Sequence, residues 1–188
     1  MFTPICVLLT ECVEHIEAVR NKLVLGEIPA INKSIVASDI AHRKIIFPLS
    51  VALNAALQQR ACTAIIDAQN INFEATMLLL SHVSGIPFGV LMSGTLLDDD
   101  WDKLVAALEQ LNEAELYFVS NEPAPMERLI RHLNGLKISK KLGLIVVNEL
   151  KIEDKNQIDE PLNKKDHIAR IYQFSADSNI PVFIANHH

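Results

Sequence analysis

From Cys62 onward the chain alternates short apolar runs with longer amphipathic ones, and that alternation limits the fold more than any other feature. Runs rich in Val, Ile and Leu fall near 62–67, 87–92, 115–119, 142–147 and 181–185. Short runs of this texture suit strands buried on both faces, as in a parallel sheet. Between and around them, residues 72–84, 99–112, 123–136 and 164–178 carry helical spacing. Strand–helix alternation on this scale predicts an α/β fold: three layers, a mainly parallel five-stranded sheet and right-handed crossovers.

The residues ahead of Cys62 read differently. Pro4 to about Leu25 is helical, with Ile5, Leu8, Leu9, Cys12, Val13, Ile16, Val19 and Leu23 on one face. Glu11, Glu14, Glu17 and Arg20 fall on the other. That apolar stripe must be buried, on the chain's own domain or on a partner. Residues 41–59 are helical around Pro48, which is expected to kink or restart the helix. The expected organisation is an amphipathic amino-terminal helix over 1–25 and one compact domain over 26–188. Residues 151–160 are the best surface-loop candidate.

With 188 residues the chain is long enough to bury a core without staples. It is 49% apolar and 21% charged, which is globular composition rather than disorder. No stretch reaches the roughly 18 apolar residues of a membrane span. Thr10-Glu11 interrupts the amino-terminal apolar segment, so no signal peptide is expected. Cys6, Cys12 and Cys62 lack metal-ligand spacing and an even disulfide count, and read as buried thiols in a cytoplasmic protein. His15, His42, His82, His132 and His167 are dispersed, so no metal site is expected. A net charge of −6 argues against a dedicated nucleic-acid binder, and DNA binding is expected to be weak or absent. The one compact basic cluster, Lys137, Lys140 and Lys141, sits where lysines suit a helix carboxyl end.

The turn after the first core strand carries the chemistry, or its absence. Strand, tight loop and helix is the setting of the phosphate-binding pattern G-x-x-x-x-G-K-[ST]. Over Ala68–Ala75, Phe73 takes the glycine position, Glu74 the lysine and Ala75 the metal-holding hydroxyl. Gln69 and Asn70 complete the loop without a glycine; none occurs between Gly26 and Gly85. Two unit charges ~4 Å apart at an effective dielectric of ~20 interact by about 4 kcal/mol. A glutamate in place of the lysine therefore turns an attraction of that size into a repulsion. ATP and Mg²⁺ are expected not to bind.

Ser93-Gly94-Thr95-Leu96-Leu97-Asp98-Asp99-Asp100-Trp101, followed by Leu104, Leu108, Leu111, Ala114, Leu116 and Tyr117, resembles a segment of the DnaB-type replicative helicases. Leu142-Gly143-Leu144-Ile145-Val146-Val147-Asn148-Glu149-Leu150 is similar to that family's second ATPase motif, L-G-L-I-V-I-D-Y-L. Residues 168–184, with Asn179-Ile180-Pro181-Val182, are similar to its last helix and the core strand after it. Residues 9–17 and Gly26-Glu27-Ile28-Pro29 resemble its linker helix and G-I-P turn. The resemblance implies a RecA-like carboxyl-terminal ATPase domain, degenerate and truncated. Asn148 then replaces the acid that organises Mg²⁺, and Glu149 follows it, either as a water-polarising residue or as an exposed loop acid. The family's catalytic glutamate would end a strand at Phe88–Met92, where Ser93-Gly94 stands instead, with the following helix deleted. His187 matches the phosphate-sensing glutamine, or with His188 belongs to an affinity tag.

The resulting expectation is a helicase-like protein without ATPase chemistry, working as a protein-interaction module in replication or a related DNA process. Its helix would offer Ile5, Leu9, Cys12, Ile16 and Val19 for self-association or for docking on a replicative helicase. A residual ATPase-helicase, and a small ligand-binding protein with an apolar pocket around Ile71 and Phe73, are the alternatives.

Overall fold

The computed structural model describes residues 2–24, 39–67, 72–119, 126–148 and 164–185. In chain order these form β1 (Phe2–Pro4), α1 (Ile5–Val24), α2 (Asp39–Gln58), β2 (Cys62–Ile66), α3 (Asn72–Ser84) and α4 (Phe88–Ser93). Then come α5 (Asp98–Asn112), β3 (Leu116–Val119), α6 (Met126–Lys140), β4 (Leu142–Val147), α7 (Lys164–Ser178) and β5 (Val182–Ile184). The sheet runs β1-β3-β2-β4-β5. β2 lies parallel to both β3 and β4, and β4 parallel to β5, while β1 is antiparallel to β3.

Alternation along the strands divides the core into two faces. Ile65, Leu116, Phe118 and Val146 meet α1, α2, α3, α4 and α5 on one side. Ala64, Ile66, Ile145 and Val147 meet α6 and α7 on the other, through Leu129, Leu133, Ile171 and Phe174. Every residue of β2 is buried, as the continuous apolar run requires.

Three sequence expectations change. Residues 87–92 are not a strand: Phe88–Ser93 is a short helix, with Pro87 at its amino cap and Gly94 in the left-handed region (φ 63°) closing it. A six-residue apolar run is ambiguous in period, and Pro87 is suited to the entry of a helix. The fifth strand is instead the three-residue β1, which seals the edge of β3 with Phe2 opposite Val119. Helix α2 passes through Pro48 as one helix of 20 residues rather than restarting. Pro48 and Leu49 are buried there, so packing offsets the lost hydrogen bond.

The amino-terminal helix belongs to this core. Ile5, Leu8, Leu9, Cys12 and Ile16 are all at most 5% exposed and share one apolar cluster with α2–α5. The expected docking face is therefore spent on the chain's own domain. Cys6, expected to be buried, is exposed, because it lies off that stripe.

Candidate functional site

In an open α/β sheet, ligands bind beyond the carboxyl ends of the strands, where successive connections leave in opposite directions. Here that point lies between β2, whose connection runs to β3, and β4, whose connection runs to β5. Two buried polar residues stand at it, Asp67 after β2 and Asn148 after β4, 2% and 6% exposed. The Asn148 amide donates to the Ile66 carbonyl (2.9 Å), and the Ala185 amide to the Val147 carbonyl (2.9 Å), which aligns the three strand ends. Asp67 escaped the sequence reading, although it is the one acid directly ending an otherwise apolar strand. Gln69, Asn70, Ile71, Glu149 and His187 lie outside the described residues.

Phe73, Glu74 and Ala75, set against the last three positions of the phosphate-loop pattern, follow residues 68–71, which lie outside the described residues. All three are in the first turn of α3, which is already helical at Asn72. The Phe73 ring meets the His15 ring of α1 edge-on, with centroids 5.3 Å apart. His15 Nε2 also donates to the Met92 carbonyl of α4 (3.3 Å). Ala75 is buried in the core. The Cys12 thiol of α1 is pushed up to about 12, first by burial, then by the Glu11 and Glu74 carboxylates. Phe73 ties α3 to α1 through His15, because an apolar ring is worth more in a core than at a wet loop. Of the interaction-helix residues, Ile5, Leu9, Cys12 and Ile16 are core; Val19 lies on α1 with its side chain outside the described set.

The three acids opening α5 behave as a helix start. Asp100 Oδ2 accepts from the Leu97 amide (3.1 Å), and its other oxygen from Lys103 (3.0 Å). Those contacts hold the Asp100 carboxyl below its ordinary range, the Lys103 hydrogen bond most of all. Trp101 packs, half-buried, against the apolar cluster on the α1–α5 side. Among the described residues no group of His, Cys, Asp and Glu is arranged to hold a metal ion. No helix there is long and apolar enough to cross a membrane.

An open, mainly parallel sheet with helices on both faces and a polar crevice at its switch point defines a RecA-like α/β domain. Residues 28–185 match the model of the DnaB-like helicase C terminal domain, and the chain belongs to that family. It is 27% identical over 96 residues to the replicative DNA helicase DnaB of Mycobacterium leprae (strain TN), a match spanning 51% of this chain and 16% of that helicase. A solved DnaB-like replicative helicase, described with its interactions with primase, superposes with a TM-score of 0.55 at 9% identity. That superposition covers 96% of this chain and 55% of the solved one, so the chain spans about half of that relative's length.

Proposed function

We propose that this chain is a DnaB-like domain that has lost ATPase chemistry and acts through protein contacts in DNA replication or a related cytoplasmic process. The observation that carries the reading is Asn148, a buried neutral amide at the strand end where the resemblance requires an acid for Mg²⁺.

We read the phosphate-loop comparison one unit further upstream. In the family order, a phosphate-loop strand and helix precede the strand that ends in a catalytic glutamate, and a helix then leads to the D-D-D-W segment. Phe88–Ser93 is helical, so β2 takes the place of the glutamate-ending strand and α3 the place of the helix after it. The family match covers α2, which this reading takes as the phosphate-loop helix. In this register G-x-x-x-x-G-K-[ST] falls on Ser38-Asp39-Ile40-Ala41-His42-Arg43-Lys44-Ile45. The lysine is kept, but both glycines and the hydroxyl are gone. Ile45, at the hydroxyl position, is 1% exposed inside the apolar core. The backbone is already helical at Asp39, where the pattern needs a loop. Beyond β2 the chain reads Asp67-Ala68-Gln69-Asn70, with no glutamate until Glu74 inside α3.

Phosphoryl transfer depends on positioned amides, a cation and a water-orienting acid, and this chain replaces most of them with neutral or apolar groups. The expected result is no hydrolysis of ATP and no rise in melting temperature with Mg²⁺-ATP. A ligand at 100 times its dissociation constant would add about 2.7 kcal/mol, a shift easily seen. Measurable hydrolysis lost in Lys44→Ala would overturn the reading. Lys44 favours the second reading, a residual nucleotide binder, which predicts a melting shift without turnover. Of the residues envisaged around a pocket for another ligand, Phe73 meets the His15 ring edge-on. The solved relative's interactions with primase support a replication protein as partner, to be sought by affinity capture and mass measurement.

A further inference from the structure

Five of the chain's 17 Lys and Arg, but one of its 23 Asp and Glu, lie in residues 126–141, which cover α6 and its exit. In a chain of net charge −6 that makes α6 a basic element of an acidic protein. It packs beside α7, on the face of the sheet opposite α1–α5.

Helices α6 and α7 enclose an open groove of about 680 Å³. Its floor is apolar, with Ile130 half-buried and Phe174 7% exposed. Its rims are polar. Arg170 donates to the Glu127 carboxylate across the groove (2.6 Å), and Lys137 Nζ donates to the Ser178 hydroxyl (3.1 Å). Asp177 also lines it, accepting from Gln173 (2.8 Å). Glu127 and Asp177 are thus already bonded. Among the described residues Arg131 makes no ion pair, and Lys137 meets a hydroxyl rather than a carboxylate.

Those two cations flank an apolar ridge. Helical geometry puts Arg131 and Lys137 about 120° apart around α6 and on the order of 9 Å apart along it. Ile130, Asn134 and Ile138, spaced at four-residue intervals, fall between them around the helix. Ile138 is 83% exposed, a large aliphatic side chain with its contact surface open. A ligand that answers this pattern carries apolar side chains in the middle and negative charge on both sides. An acidic amphipathic peptide segment has both, and a cleft between two helices is a recurring seat for one. Nucleic acid answers it less well. Its backbone offers no apolar side chain to the ridge, and Phe174 leaves no open ring face on which a base could stack.

We propose that the α6–α7 groove docks an acidic, apolar-anchored segment of another protein, with carboxylates at Arg131 and Lys137 and an aliphatic or aromatic anchor on Ile130 and Ile138. The proposal rests on the protein-contact reading above and names the chemistry of the partner. Arg170, held by Glu127, forms a wall of the site and leaves recognition to the two cations of α6. Residues 98–115 carry seven Asp and Glu, but they lie with α5 on the opposite face of the sheet, so that acidic element of the same chain does not cover the groove.

The test is fluorescence anisotropy of a labelled synthetic peptide titrated with the full chain at low salt. The peptide spans about three helical turns of Asp and Glu, with one Leu and one Phe a turn apart. Three controls replace its acids by Lys, replace its Leu and Phe by Ser, or replace the peptide by a thymidine oligonucleotide. The acidic peptide is expected to bind saturably and the controls are not. Arg131→Glu with Lys137→Glu should weaken binding by about tenfold or more, since each reversal turns an attraction into a repulsion. Ile138→Ser should weaken it as well, and so should salt at about 1 M, where the Debye length is ~3 Å. All three side chains are exposed, so the variants should keep wild-type circular dichroism. If the reversed pair does unfold, Arg131→Gln with Lys137→Gln gives the same reading with a smaller loss. The proposal is overturned if the acidic peptide fails to bind, if the Lys or Ser peptide binds as well, or if the folded variants bind like wild type. An oligonucleotide that binds through Arg131 and Lys137 overturns it in favour of a nucleic-acid site. Capture of a replication protein that survives the Arg131→Glu, Lys137→Glu change overturns this site and leaves the protein-contact reading standing.

Discussion

Replacing Leu9 and Ile16 by Asp decides whether α1 is core or a detachable docking arm. Both side chains are buried in the cluster that includes Ile65 and Phe118 of the sheet, at 5% and 0% exposure. Removing a buried Leu or Ile to a small residue costs about 2–5 kcal/mol, so two such losses remove about 4–10 kcal/mol. Burying an unpaired carboxylate at each site adds several kcal/mol more. A domain of this kind has roughly 5–15 kcal/mol in total, so the double variant should not fold. A graded series keeps the measurement quantitative. Ile16→Val should lose about 0.5–1.5 kcal/mol and Ile16→Ala about 2–5. At ~2–4 °C per kcal/mol for this size, the second lowers the melting temperature by about 4–20 °C. Glu14→Ala, on the exposed side of the same helix, should stay within about 0.5 kcal/mol. The assay is thermal and urea unfolding followed by far-ultraviolet circular dichroism. A folded double Asp variant, or Ile16→Ala melting with wild type, would refute the placement of α1 in the core.

Thiol labelling should separate the cysteines: Cys12 and Cys62 are buried and pushed up to about 12, chiefly by burial, while Cys6 is exposed. Near pH 8 one thiol of the native protein should react with a disulfide reagent and all three after denaturation; rapid loss of a second native thiol would count against the fold. Asp100 and Glu127 have carboxyls held low, Asp100 by Lys103 and then the Leu97 amide, Glu127 by its own amide and then Arg170. A folded pKa below the unfolded one gives stability that is present above the ordinary carboxylate range and lost as pH falls through the folded value. The melting temperature should therefore drop on acidification below about pH 4, and Asp100→Asn should shallow that slope; an unchanged slope would contradict the capping contact. Lys141 turns α6 into β4 with φ 54°, a left-handed conformation that costs an L-residue roughly 1–2 kcal/mol. Lys141→Gly should raise the melting temperature by a few degrees; a fall would show the turn gains nothing from glycine.

Much of the architecture was legible because its signals are local. Cys62–Ile66 and Leu142–Val147 are continuous apolar runs, and α3, α5 and α7 carry 3.6-residue spacing, so their bounds emerge within a residue or two. What escaped depends on tertiary context. Phe2–Pro4 is too short to carry a period; it is a strand only because β3 presents an open edge. Phe88–Ser93 has strand composition, yet Leu91 is its one fully buried side chain, and a turn of helix satisfies that as well as a strand would.

The same limit displaced the phosphate-loop comparison. A strand followed by a helix occurs repeatedly in such a fold, and a loop that has lost its glycines no longer marks which repeat it was. Sheet order supplies the missing coordinate. β2 lies between β3 and β4, and α2 precedes it; the proposed register takes α2 as the phosphate-loop helix. Under the proposed register Lys44 is the one residue of the pattern kept, and Ile45, at the hydroxyl position, is buried. On that proposal, recovering metal binding would require unburying Ile45, a side chain of the core cluster that α2 shares with the sheet. The proposal therefore predicts that Ile45→Thr weakens the fold before it restores a ligand. Trading buried methyl groups for a hydroxyl costs on the order of 1 kcal/mol, which would appear as a lower melting temperature both with and without Mg²⁺-ATP. An Ile45→Thr protein that melts with wild type and gains a nucleotide-dependent shift would show that the site was dormant rather than dismantled.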